Sequence, residues 1–102
     1  MVQSKPLTFG GSQLTVNYET SAAGHVRVEI QDEQGQAIPG YTLADCMPLI
    51  GDEIERAVSW QQRTDVAGLA GRPVRLRFEL KDADLYAIRF EHGPGHKNRT
   101  WR

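Results

Sequence analysis

Apolar and polar residues alternate with a period of two along most of the chain. This spacing sends successive side chains to opposite faces of a half-buried strand. Around 13–20, Leu14 and Val16 share a face with Tyr18. The clearest case is 25–32, where Val26, Val28 and Ile30 face one way and His25, Arg27, Glu29 and Gln31 the other. Glu33-Gln34-Gly35 then reads as a turn, with Gly35 free to take positive φ. A short extended piece over 37–43 is interrupted by Pro39-Gly40, and a further strand is expected over 55–60, carrying Arg56, Val58 and Trp60 on one side. The glycine-rich stretch 65–71 is too short for a good helix and reads as one helical turn or a loop. Alternation returns over 74–80, where Val74, Leu76, Phe78 and Leu80 oppose Arg75, Arg77 and Glu79, and 85–90 supplies the last strand. An apolar period of 3.6 is not sustained for three turns anywhere, which excludes a helical bundle. Six to eight short strands separated by turn signals in about a hundred residues predict an all-β fold, an antiparallel two-sheet β-sandwich.

Composition narrows the classes without naming one. The chain has 102 residues, which is one domain, and its 39% hydrophobic content supplies a core and excludes a disordered tail. A net charge of −1 lacks the dense basic footprint of a nucleic-acid binder. Apolar runs are only a few residues long, too short to span a bilayer, and the residues after Met1 show no signal peptide. The single cysteine, Cys46, excludes an intramolecular disulfide. Charge is unevenly placed: residues 92–102 hold Lys97, Arg99 and Arg102 without an acid, a sum of +3 that leaves −4 on residues 1–91 of the −1 total. With Gly93-Pro94-Gly95 inside it, 92–102 reads as a basic tail appended to a module at 1–91.

Candidate chemistry is sparse. Cys46 has no nucleophile signature around it and reads as a buried hydrophobe, and Gly10-Gly11 lacks the spacing and the lysine of a phosphate loop. A sandwich of this size also leaves little room for a deep cleft that excludes water, so an enzyme is not expected. Asp82 and Asp84, before the last strand, are either turn residues bonded to their own backbone or the carboxylate donors of a calcium site. Tyr41, beside Pro39-Gly40, is the best candidate for an exposed ring; Trp60 ends its strand and is either a core residue or a second stacking surface. If 25–32 and 74–80 are neighbours, Arg27, Glu29, Gln31, Arg75, Arg77 and Glu79 form one polar face, suited to hydroxyls or carboxylates, or else simply laced with cross-strand ion pairs.

Several phrases carry a resemblance. Gly24 to Asp32, Ile38-Pro39-Gly40-Tyr41, Asp45-Cys46, Pro48 to Asp52, Val58-Ser59-Trp60, Asp65 to Phe78 and Lys81 to Phe90 together resemble the small C-terminal β-sandwich of bacterial proteins like family 32 glycoside hydrolases. The likeness covers about residues 6–90 and is looser to jelly-roll carbohydrate-binding modules. It implies a jelly-roll accessory domain without catalytic residues, attached to a catalytic domain and secreted or extracellular with it. It also implies recognition of a polysaccharide such as a plant β-glucan, with Tyr41 or Trp60 stacking on a sugar ring and the polar face meeting hydroxyls. The alternative is a packing domain for a neighbouring catalytic propeller that touches no glycan. This alternative predicts an exposed apolar patch.

Overall fold

The computed structural model describes residues 2–61 and 63–91, apart from the side chains at 54 and 55. Its strands are β1 (Val2–Gln3), β2 (Gln13–Gln31), β3 (Asp52–Ala57) and β4 (Arg75–Glu91), with one turn of 3₁₀ helix at Ala67–Leu69. They form one antiparallel sheet in the order β1-β4-β2-β3. The all-β, antiparallel expectation is met, and so is the turn at Gly35, whose φ is 88°. The proposed basic tail at 92–102, with Trp101, lies outside the described residues.

The strands are longer and fewer than the alternation suggests. The expected strands at 13–20 and 25–32 are one strand, β2, and those at 74–80 and 85–90 are one strand, β4. The break in alternation marks a bend shared by both. Thr20 pairs with Ala83 and His25 with Lys81, so the four residues 21–24 of β2 lie opposite Asp82 alone. Asp82 takes φ 44°, and a Cβ on Gly24 would collide with the carbonyl oxygens of Asp82 and Lys81. Glycine at 24 therefore lets the two backbones cross the bulge in contact.

One face of the sheet is the core. Leu14, Val16 and Tyr18, then Val26, Val28 and Ile30, meet Leu76 and Phe78 from β4 on that side, all buried. The layer that covers them comes from the chain at 37–70 and contributes Cys46, Leu49, Val58, Trp60, Val66 and Leu69. Among the described residues this layer is tied by single bridges, such as Val26 to Leu49 and Cys46 to Trp60, while every ladder belongs to the one sheet. The local reason is composition: Pro39, Gly40, Pro48, Gly51, Gly68 and Gly71 punctuate the segment before alternation can run. The strand expected over 55–60 is thus shifted to Asp52–Ala57, and Trp60 closes a bridge beyond it.

Two titratable groups sit in this core. The Tyr18 hydroxyl donates to Ile50 O at 3.2 Å, and burial raises its phenol above the ordinary 10.0, against the opposing charge of Arg56. Burial likewise raises the Cys46 thiol above 9.0, although the Val28 N–H donates to its Sγ at 3.3 Å. Both stay neutral in the fold where the unfolded chain would ionise. Their contribution is therefore complete below the unfolded values and is lost as pH rises through the folded ones. The thermal midpoint should hold level to about pH 8.5 and fall above about pH 9, and Tyr18→Phe should flatten the part of the decline beyond about pH 10. Melting curves across this range check it; an equal alkaline decline in Tyr18→Phe would remove Tyr18 as a cause.

Candidate functional site

Because β2 and β4 are neighbours, the two polar rows expected from the sequence become one. Arg27 stands opposite Glu79, Glu29 opposite Arg77 and Gln31 opposite Arg75. Over 25–31 and 75–81 the odd-numbered positions point away from the core, so the row forms the other face of the sheet. Its charges are spent internally. Glu79 Oε1 lies 2.8 Å from His25 Nε2 and 3.7 Å from Arg27 Nη1. Glu29 is buried: Oε1 accepts the Leu43 N–H at 3.1 Å, and Oε2 accepts Gln31 Nε2 at 2.8 Å with Arg77 Nη1 3.7 Å away. Gln31 Oε1 accepts Gln3 Nε2 from β1 at 2.6 Å, and Arg75 Nε donates to Glu33 O at 2.9 Å. Arg27 Nε is enclosed without a hydrogen-bond partner. The row is thus the ion-paired lattice of the plainer sequence reading. A shallow depression beside it is lined by Val2, Gln3, Gln31, Gly35 and Arg77.

The aromatic half of the expected site lies elsewhere. Trp60 is 0% exposed and its Nε1 donates to Val28 O at 2.8 Å, so it has no face for a sugar ring; of the two readings, the core one is realised. Tyr41 is half-buried, set edge-on to Trp60 at 5.3 Å, with its hydroxyl donating to Asp65 O at 2.9 Å and the Arg63 guanidinium 5.6 Å from the ring centre. Both rings belong to the layer covering the core face, and the polar row projects from the opposite face. Sequence parity places each residue on a face, but it does not reveal that Tyr41 and Arg77 lie on different sides of the domain.

Asp82 and Asp84 are exposed and share a depression with Glu19, Thr20, Ser21 and Ala83. Among the described residues no three His, Cys, Asp or Glu side chains are grouped to hold a metal. Cys46 is enclosed, as expected of a small hydrophobe.

A different surface emerges along β4. β1 pairs only with Arg77 and Phe78, so among the described residues the outer edge of β4 beyond them carries no strand. Val2 is 56%, Tyr86 57% and Ile88 37% exposed along this margin, and Phe78, Leu85, Tyr86, Ala87 and Ile88 line an apolar groove. The Tyr86 hydroxyl donates to Glu19 Oε1 at 2.9 Å, a bond that raises its phenol above 10.0. Sequence reasoning passed over these residues. The signal was the run Leu85-Tyr86-Ala87-Ile88, apolar on both parities, in a strand whose neighbours alternate. Comparison of the chain with protein-family models, with curated proteins and with solved structures gave no match.

Proposed function

We propose that the domain is a non-catalytic packing module that works through the apolar margin of β4, presenting it to another protein surface. The observation that carries this reading is the exposure of Tyr86, Ile88 and Val2 beside an apolar groove on a strand edge that has no pairing strand among the described residues. Soluble monomers seldom leave open strand edges uncovered, and contiguous apolar patches commonly mark protein contacts. The internal pairing of the polar row supports it from the other side, since few donors there are left for a ligand. In this reading the bridged layer over 37–70 stands in for the second sheet of a jelly-roll sandwich, and the module serves a larger assembly of the kind its resemblance implies. A double variant, Tyr86→Ser with Ile88→Ser, should lose most of the fluorescence of an apolar dye bound by the dilute wild-type domain while melting at nearly the same temperature. Equal dye binding by both proteins would overturn the reading.

A second reading, glycan recognition, has one observation of its own: the depression where Gln3, Gln31 and Arg77 offer amide and guanidinium groups together. It needs no calcium and does not use Trp60. Retardation of the domain in a native gel containing β-glucan, abolished by Arg77→Ala, would support it; uniform mobility across a glycan panel would remove it.

A further inference from the structure

We propose that the surface covering the β4 margin is a second copy of this chain, whose own β4 adds antiparallel about a two-fold axis between Tyr86 and Ala87. The inference rests on the packing reading above and names its partner.

The register follows from where backbone groups point. Val58 N–H donates to Leu14 O at 2.9 Å, and Thr20 N–H donates to Gly51 O at 2.8 Å. The even-numbered residues in this half of β2 therefore turn their backbone groups toward β3. Their partners on β4 are Phe90, Ile88, Leu85 and Ala83. In an antiparallel ladder these residues turn their N–H and C=O away from β2, to the outer edge, where no strand pairs among the described residues. Tyr86 is the extra residue of the irregularity between Ala87 and Leu85, so the outward set changes parity in the middle of the strand. A regular strand cannot pair with itself about an axis between two residues, because one would face outward and the other inward. The bulge at Tyr86 makes that axis possible. About it, Leu85 faces Ile88 of the second copy and Ala83 faces Phe90, outward groups opposite outward groups throughout.

The same register matches side chains. Leu85 and Ile88 pair with Tyr18 and Val16, so both lie on the core face and meet as apolar partners, continuing two cores across the axis. On the opposite face Asp84 meets Arg89 of the second copy, twice by symmetry. Both are exposed, and Arg89 Nη1 lies 3.3 Å from Glu91 Oε2 on its own strand. The left-handed residue Asp82 turns the chain out of line and ends the added ladder at Ala83. The contact is isologous, as a two-fold dimer requires.

Sedimentation of the domain from about 10 µM to about 1 mM should show a monomer–dimer equilibrium. Asp84→Arg and Arg89→Asp should each weaken dimerisation by roughly tenfold, and the two together should restore it, because the exchanged charges again face each other. Mixing Leu85→Cys chains with Ile88→Cys chains under mild oxidant should give a covalent dimer that neither variant gives alone, since facing residues of a ladder lie within disulfide reach. A dimer that ignores the charge exchange and forms no mixed disulfide would overturn the proposal. A protein monomeric throughout would overturn it too. In that case dye binding to the margin would leave the packing reading standing, and its absence would remove both.

Discussion

Trp60→Ala should lower the unfolding free energy by about 3–5 kcal/mol, a large fraction of what a domain of this size has. The side chain is wholly enclosed at the centre of the bridged layer. Its backbone bridges Cys46 and Arg63, its ring carries the edge of Tyr41 at 5.3 Å, and its Nε1 donates to the carbonyl of Val28. Truncation opens a cavity that chain held by single bridges must collapse to fill, and it takes away the donor to β2. Trp60→Phe keeps most of the ring and loses the N–H, so it should cost about 1–3 kcal/mol. Urea unfolding of both variants, with the slope unchanged, measures these losses. A loss under about 1 kcal/mol for alanine would show that the layer is not anchored there.

Glu29→Ala should cost about 2–4 kcal/mol, although it removes a charged residue from a surface-facing row. The carboxylate is buried and serves two strands and a loop at once. Without it the Leu43 N–H and Gln31 Nε2 lose their acceptor, and Arg77 loses its counter-charge. Glu29→Gln keeps one acceptor oxygen but turns an amide donor toward another donor, so an intermediate loss is expected. Chemical denaturation measures both. Were alanine tolerated within about 0.5 kcal/mol, the row would be a solvated face with no structural share.

The parts of this fold set by local alternation were readable from the residues alone. The faces of Leu14, Val26, Val28, Ile30 and Leu76 follow from parity, and so does the polar row once β2 and β4 are neighbours. Burial of Cys46 follows from its size and apolar surroundings. What was not readable depends on which strand ends up at an edge. Tyr86 and Ile88 look like any strand residues until topology ends β1 at Phe78 and, among the described residues, leaves the rest of that β4 edge without a strand. The continuity of β2 through Gly24 was hidden because a glycine at a bend resembles a glycine at a turn, and only the approach of Asp82 tells them apart. Tyr41 and the arginines looked like one site because each was judged by exposure, whereas Tyr41 packs on Trp60 and Arg77 pairs with Glu29 in the outward row.

The order β1-β4-β2-β3 has a kinetic meaning. The last strand in sequence lies inside the sheet, between the first two. A chain emerging from its N-terminus can pair β2 with β3 early, yet the seat between β1 and β2 stays vacant until β4 arrives. Val26, Val28 and Ile30 must wait without their β4 partners Leu80, Phe78 and Leu76 for the whole of that interval. Assembly therefore goes to completion only once β4 has been made, closing a loop that spans most of the domain, and the open half-sheet that precedes it is the species a chaperone would meet.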